Sequence, residues 1–170
     1  MKDILKLEFL SRAENEGFAR AAVAAFMTRL NPTLDEISDV KTAVSEAVTN
    51  CVVHGYDNED GMINMEVEIE ENRLSIVIED YGTGIEDVEQ AREPLFTTKP
   101  EEERSGMGFT FMEIFMDSLK VDSSRGKGTT VHMSKIIMGG KGFGVYHRSR
   151  YDGCHCSVGG FKRNLRHLWL

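Results

Sequence analysis

The hydrophobic and polar positions of the chain follow two periods, two and about 3.6. Residues 63–69 alternate strictly between apolar and polar side chains, which is typical of a strand with one wet face, and residues 4–9 are also strand-like. Residues 71–72 make a tight connection to Leu74, Ile76 and Ile78 on the next strand, so the pattern predicts a β-hairpin. Two short strands are expected near the end of the patterned region, the second over residues 129–137.

Helical spacing occupies the region between the first strand and the hairpin. The run Ser11-Arg12-Ala13-Glu14 is a capping-box pattern and predicts a helix that ends near Asn31-Pro32. Its core-facing stripe is expected to be Phe18, Ala22, Phe26 and Leu30.

A second capping box, Thr33-Leu34-Asp35-Glu36, predicts a longer helix to about His54. The apolar face of that helix is expected to hold Ile37, Val40, Val44, Val48, Cys51 and Val52. Shorter helices are expected at residues 86–91 and 108–119. Together these elements indicate an α/β fold, a two-layer sandwich with helices on one face of a mixed, mainly antiparallel sheet.

Composition and charge narrow the function classes. The chain has 170 residues, of which 41% are apolar and 28% charged, and this is the size and composition of one folded domain. The composition excludes a collagen-like protein and a wholly disordered one. No run approaches the roughly 20 apolar residues of a membrane span, and early charges disfavour a signal peptide, so a cytoplasmic location is expected. Residues 1–138 hold 14 basic and 27 acidic side chains. This acidic surface disfavours nucleic acid and fits a basic protein partner.

Residues 139–170 differ from the rest of the chain. They hold six Lys or Arg against one Asp, are rich in glycine, and show neither period. Cys154, His155 and Cys156 form only part of a zinc-ligand set, with His147 as the nearest further candidate. We therefore expect a domain over residues 1–138, followed by a basic tail that is disordered or artefactual.

Four short motifs carry candidate chemistry. Glu46 and Asn50 lie four residues apart on one helix face, away from the apolar stripe. Asp80 ends a strand and opens Asp-Tyr-Gly-Thr-Gly, a sequence that permits a tight turn and a carboxylate acceptor for an amine. Residues 104–109 place small residues at a helix start, where free N–H groups bind anions, and residues 126–130 form a glycine-flanked turn. Each motif alone is also typical of an ordinary turn or a solvated helix face.

In this order, the four motifs resemble the ATP-binding superfamily of gyrase, the Hsp90 chaperones, histidine kinases and MutL. There is a closer resemblance to the small bacterial anti-sigma factors of sporulation, which are also serine kinases. It is carried by the runs SEAVTN at 45–50, HGY at 54–56 and PLFTTKP at 94–100. The resemblance covers about residues 1–137.

The resemblance implies a role for each matching residue. Asn50 would be the Mg²⁺ ligand, Glu46 the catalytic acid-base group, and Asp80 the acceptor of the adenine amino group. The base would approach the backbone at Gly82 and Gly84, supported by Thr130, and Arg104 would stabilise charge on the γ-phosphate. The other nucleotide-binding residues implied are Thr97, Thr98, Ser105, Gly106, Met107, Gly108 and Phe109.

The function implied is that of a homodimeric anti-sigma factor. Such a protein binds and inhibits a sigma factor and uses MgATP to phosphorylate a serine of an anti-anti-sigma factor, with ATP or ADP in its site. Two alternatives remain open at this stage. One is a module that binds ATP and sigma without transferring phosphate, and the other is a histidine kinase-type catalytic domain, for which the usual dimerising helices have no room.

Overall fold

The alternating segments form one five-stranded sheet in the computed structural model, which describes residues 2–93 and 107–139. The spatial order is β1-β2-β3-β5-β4, and each neighbouring pair is antiparallel. The two-layer fold class is thus confirmed, and none of the described strands makes the parallel pair that a mixed sheet would contain. The strands are β1 (Lys2–Leu10), β2 (Met62–Glu70), β3 (Arg73–Asp80), β4 (Ser118–Ser123) and β5 (Thr129–Ile136).

The helices lie on one side of this sheet, and α2 packs against both α1 and α4. The predicted capping box of α2 is confirmed, because the Thr33 hydroxyl accepts from the Glu36 N–H and the Glu36 carboxylate accepts from the Thr33 N–H. The last α-helical residue of α2 is Asn50, and a π-helical turn continues it. The helices are α1 (Ala13–Met27), α2 (Leu34–Asn50), α3 (Val88–Ala91) and α4 (Gly108–Phe115), with a 3₁₀ turn at Thr28–Leu30 and the π-helical turn at Cys51–Gly55.

The core lies between the sheet and α1, α2 and α4. Alternate residues of β2 and β3 are fully or almost fully buried on the helix side, as their period of two predicts. Burying one such side chain contributes about 1.5–3 kcal/mol, so these rows hold the helices on the sheet. From α2 the buried residues are Val40, Ala43, Val44, Ala47 and Val48.

Two predictions for the first helix were wrong. Of the expected stripe, Phe26 and Leu30 pack against the core but Phe18 is 56% exposed, and the fully buried row of α1 is Ala19, Val23 and Met27, one position further along. Ser11 does not cap the helix, because its hydroxyl donates to the Glu59 carbonyl and accepts from the Gly61 N–H. Arg12 holds the N-cap position, and its side chain makes no capping hydrogen bond.

The last elements of the fold lead up to the predicted domain boundary at residue 138. α4 ends at Phe115 rather than near residue 119, because the chain enters β4 at Ser118. After β5, the Met138 N–H donates to the Glu36 carboxylate at 2.7 Å, which fixes the exit of the chain against the start of α2. Residues 140–170 lie outside the described residues, so the tail stays a prediction. In the described ranges, no helix has the length and apolar character needed to cross a bilayer.

Candidate functional site

A cavity of about 920 Å³ opens where the C-terminal end of α2 meets the ends of the central strands. Its size is in the range of small-molecule and cofactor sites. Asn50 lines it from α2, Asp80 from β3, Thr129 from β5 and Gly108 from α4. All four sequence motifs therefore contribute lining residues to one space.

Asp80 is the buried carboxylate of this cavity, with 3% of its surface exposed. Burial raises its pKa above the ordinary value, because desolvation disfavours the charged form. Hydrogen bonds from the N–H of Gly82, the thiol of Cys51 and the N–H of Thr129 act in the opposite direction. The Gly82 bond measures 2.9 Å to Oδ1. The side chain is thus held in place by donors on three different elements.

Thr129, not Thr130, lies beside this carboxylate. Thr129 pairs with Asp80 in the β3–β5 ladder and is 9% exposed, whereas Thr130 pairs with Glu79 on the other face of the sheet. The Thr129 hydroxyl is 2.9 Å from the Ser123 hydroxyl, and Thr129 also lines the cavity. This placement corrects the expectation for Thr130, and strict alternation along β5 was the signal that would have identified Thr129.

Gly82 and Gly84 allow close contact between backbone segments. A Cβ on Gly82 would stand 2.0 Å from the Gly55 carbonyl oxygen, and one on Gly84 would stand 2.1 Å from that of Ser124. Gly84 also has a φ of +69°, a conformation that glycine adopts without strain. Because these two positions have no side chain, the loop after β3 can pack against the end of the π-helical turn at Gly82 and against the β4–β5 turn at Gly84.

Glu46, Asn50 and Gly108 converge at the start of α4. A Cβ on Gly108 would stand 3.2 Å from Glu46 Oε2 and 3.3 Å from Asn50 Oδ1. Glu46 and Asn50 are both half-buried, and Asn50 also lines the cavity. The structure thus brings the predicted acid-base residue and the predicted metal ligand to the same helix start.

The start of α4 is suited to an anion. The first N–H groups of a helix have no intrahelical partner, and no described side chain caps this end. Met107 is the N-cap residue, and its carbonyl accepts from the Phe111 N–H at 2.9 Å. Phe109 lines the cavity and packs against the core. The predicted site residues Thr97, Thr98, Arg104, Ser105 and Gly106 lie outside the described residues.

A metal cage built from protein side chains is not found in the described ranges, where no three His, Cys, Asp or Glu residues cluster suitably. The single amide oxygen of Asn50 still fits Mg²⁺. This ion prefers oxygen ligands and is usually held by one or two protein groups together with substrate phosphates.

Some residues at the cavity were not predicted as site residues. Cys51 was expected only in the hydrophobic core, but it also lines the cavity with Asp80, whose negative charge raises the pKa of its thiol in addition to burial. Glu86 and Arg125 also line the cavity and form an exposed ion pair at 3.3 Å. The local sequence pattern does not predict these neighbours, because Cys51 lies 29 residues from Asp80 and Glu86 lies 39 residues from Arg125.

Comparisons with known proteins agree with this geometry. Residues 9–135 match the family described as the histidine kinase-like ATPase domain. An anti-sigma F factor from Clostridium kluyveri is 56% identical over 133 residues, covering 78% of this chain and 94% of the relative. Those from Clostridium beijerinckii and Clostridium botulinum are 60% and 61% identical over 132 residues, each covering 77% of this chain and 92% of the relative. A matched ATPase domain and relatives aligned over nearly their whole length place this chain in the anti-sigma F factor family, within the histidine kinase-like ATPases.

Proposed function

We propose that this protein is an ATP-dependent antagonist of a sigma factor and a serine kinase that inactivates the corresponding anti-anti-sigma factor. One observation carries the catalytic part of the proposal: Glu46 and Asn50 meet the start of α4 beside a cavity that also holds the buried carboxylate of Asp80. A base acceptor, a ligand for a phosphate-bound cation and an acid-base group are the components that phosphoryl transfer from ATP needs.

Asp80 would accept a hydrogen bond from the 6-amino group of adenine. Its Oδ1 already accepts from the Gly82 N–H, and a carboxylate has further acceptor capacity for an amine. Thr129 takes the supporting role first assigned to Thr130, because it lies beside Asp80 on the cavity side of the sheet.

The phosphates would lie toward the start of α4 and Asn50. Asn50 would hold Mg²⁺, which supplies charge neutralisation between the β- and γ-phosphates. Met107, Gly108 and Phe109 supply the helix start. Gly106, Ser105, Thr97 and Thr98, with Arg104 toward the γ-phosphate, complete the site that the resemblance implies.

Glu46 would act on the incoming serine. Its carboxylate takes the hydroxyl proton as the serine oxygen forms a bond to the γ-phosphorus and the bond from that phosphorus to the ADP oxygen breaks. The products are phosphoserine and ADP. A carboxylate beside the metal-binding amide is suitably placed for this proton transfer.

The sigma factor is supported as the inhibited partner by the relatives, which are named anti-sigma F factors. The anti-anti-sigma factor, as the phosphorylated partner, is implied by the resemblance of the sequence motifs. Homodimerisation and a cytoplasmic location belong to the same proposal. The acidic balance of residues 1–138 supports a basic protein surface as the docking partner.

Transfer of labelled γ-phosphate from ATP to the anti-anti-sigma protein tests the proposal, with capture of sigma measured on the same samples. We expect Glu46→Gln to keep ATP and sigma binding while it slows transfer by about 10²–10⁴-fold. Asn50→Ala should weaken both MgATP binding and ATP-dependent sigma capture. Asp35→Asn, which makes a matched charge change at the exposed start of the same helix, is the control and should behave as the unmutated protein.

Two results would contradict the proposal. If the unmutated protein captures sigma but transfers no phosphate to any serine, the protein is a binding module and not a kinase. If Glu46→Gln transfers phosphate at the unmutated rate, Glu46 is not the acid-base group.

A further inference from the structure

Ser123 is the last residue of β4, and it pairs with Thr129 of β5. Thr129 pairs in turn with Asp80 of β3, so the three residues form one row across three neighbouring strands. Thr129 and Asp80 line the cavity. The half-buried Ser123 lies next to Thr129 on the side away from Asp80, where it can act on the cavity only through Thr129.

The Ser123 hydroxyl has hydrogen-bond partners in three segments. It accepts from the Ile85 N–H at 2.8 Å and donates to the Gly128 carbonyl at 2.8 Å, and its oxygen is 2.9 Å from the Thr129 hydroxyl oxygen. Ile85 belongs to the loop after β3, and Gly128 belongs to the β4–β5 turn. A hydroxyl has one proton and two acceptor lone pairs, so these three partners use its full capacity.

Two of these partners determine the direction of the third bond. The Ile85 N–H can only donate and the Gly128 carbonyl can only accept, so the single Ser123 proton goes to Gly128. The remaining bond therefore runs from the Thr129 hydroxyl to Ser123. With its proton used in this way, the Thr129 hydroxyl has only lone pairs to offer to a molecule in the cavity. It is then an acceptor beside a second acceptor, the carboxylate of Asp80.

We propose that Ser123 is a positioning residue for base recognition: by accepting the Thr129 proton, it makes the proposed adenine end of the cavity a pair of acceptors for the two N–H groups of a 6-amino purine. This inference rests on the proposed roles of Asp80 and Thr129. It deepens them, because it makes the rejection of 6-oxo purines depend on a residue that does not itself touch the base.

A 6-oxo purine has the opposite hydrogen-bonding character at this position, an acceptor in place of a donor. Its carbonyl oxygen would meet the lone pairs of Asp80 and Thr129, and the unpaired polar groups would weaken binding. Without the Ser123 hydroxyl, the Thr129 hydroxyl could rotate and donate to that carbonyl. The relative affinity for amino and oxo purines should then change by about five- to tenfold, the effect of one hydrogen bond.

The loop after β3 has other links to the β4–β5 turn that do not involve Ser123. The Gly126 N–H donates to the Thr83 carbonyl at 2.6 Å, and Arg125 forms an ion pair with Glu86 at 3.3 Å. These links should hold the two segments together when the hydroxyl is removed. Ser123→Ala is therefore expected to fold with the cavity in place.

Calorimetric titration of the full chain with ADP and with inosine 5′-diphosphate, whose base has a 6-oxo group, tests this role. The variants are Ser123→Ala, Thr129→Val, the combination of both, and Ser123→Thr, which keeps the hydroxyl. Ser118→Ala is the control, because it removes a hydroxyl of the same strand that lies 2.8 Å from the Ser134 hydroxyl. Thermal unfolding of each variant measures whether it is folded.

We expect the unmutated chain to bind ADP at least about tenfold more tightly than inosine diphosphate. Ser123→Ala and Thr129→Val should each lower this ratio by about five- to tenfold. In the Thr129→Val background, Ser123→Ala should change the ratio by less than about twofold, because no hydroxyl remains to be oriented. Ser123→Thr and Ser118→Ala should keep the ratio within about twofold of the unmutated value.

An unchanged ratio in Ser123→Ala, or an equal fall with and without Thr129→Val, would overturn the inference and leave the proposed function intact. A ratio that Thr129→Val does not alter would also overturn it, and this comparison does not depend on the folding of Ser123→Ala. An unmutated chain that binds neither ATP nor ADP would overturn both the inference and the proposed function.

Discussion

Asp80 and Thr129 face each other across the β3–β5 ladder, on the side of the sheet that lines the cavity. The two residues lie far apart in the sequence, and their pairing depends on one antiparallel register. A shift of that register by one residue would put Thr130 in the cavity and turn Thr129 toward solvent. The proposed adenine end of the site is therefore defined by strand alignment as much as by the residues themselves.

Thr129→Val should weaken ATP and ADP binding by about five- to tenfold, because it removes a hydroxyl from the residue paired with Asp80 in the cavity lining and keeps the side-chain shape. Thr130→Val, on the opposite face, should change binding by less than about twofold. Titration of both variants with ADP provides the measurement. A larger effect of Thr130→Val would show that the register seen here is not the one that binds nucleotide.

Gly108→Ala should lower the affinity for MgATP by at least about tenfold without destabilising the fold. Its methyl group would stand 3.2 Å from Glu46 Oε2 and 3.3 Å from Asn50 Oδ1, so both side chains must shift. The control is Gly17→Ala in α1, where an added Cβ meets nothing within 4 Å. That change should raise the free energy of unfolding by about 0.5–1 kcal/mol and leave MgATP binding unchanged. Unaltered MgATP affinity in Gly108→Ala would separate this helix start from the phosphate site.

Gly82→Ala should destabilise the protein by more than Gly126→Ala, as measured by chemical denaturation. A Cβ on Gly82 would overlap the Gly55 carbonyl at 2.0 Å, which the backbone must move to relieve. Gly126 has a φ of +76° but open space around it, so alanine there bears only the conformational cost of about 1–2 kcal/mol. Equal losses would mean that the loop after β3 yields easily and does not hold Asp80 in place.

The Glu36→Gln variant should lose less unfolding free energy than the unmutated protein when the pH is lowered from neutral to acid values. Burial acts to raise the pKa of Glu36, but hydrogen bonds from Thr33 and from the N–H of Met138 outweigh it, and the net pKa is below the ordinary 4.5. A carboxyl with a lowered folded pKa contributes stability above its unfolded pKa and loses it as the pH falls through the folded pKa. The unmutated protein should therefore exceed Glu36→Gln in unfolding free energy at pH 7, by about 1 kcal/mol, and this difference should shrink as the pH falls through the lowered folded pKa of Glu36.

Urea denaturation at several pH values measures that difference. Glu71→Gln, at an exposed position in the β2–β3 turn, is the control and should show no such trend. A stability difference between the unmutated protein and the Glu36→Gln variant that is as large at about pH 3 as at pH 7 would mean that the charge of Glu36 is not what ties the end of β5 to α2.

The hydrophobic periodicity and the helix-capping motifs predicted most of the fold, and each wrong prediction has an identifiable physical cause. The alternation of residues 63–69 and the capping box at Thr33 are local properties, and both are confirmed. In α1, two rows one residue apart have the same helical spacing. The bulky Phe18 suggested the wrong row, whereas the smaller Ala19 is the residue that fits under α2. Ser11 was mispredicted because its true partners, Glu59 and Gly61, lie far along the chain.

The candidate site likewise contains residues that local motifs predict and neighbours that only the tertiary structure brings together. Asn50, Asp80 and Gly108 could be selected from motifs, and the structure brings them together around one cavity. Thr129 was within reach of sequence reasoning, since alternation with the buried Val131 puts it on the core side. The position of Cys51 beside Asp80 in the cavity lining was not, because only the packing of the helix layer on the sheet creates it.

The order of the strands has a consequence for the nascent chain on the ribosome. β5 is the last of the described strands to be synthesised, yet it inserts between β3 and β4 and brings Thr129 to Asp80. A chain that ends before β5 lacks the strand that brings Thr129 to Asp80, so it cannot form the proposed adenine end of the cavity. Translation must therefore pass Ile136, and this strand must clear the exit tunnel, before a molecule can bind nucleotide. Prematurely terminated copies would have no ATP-dependent activity.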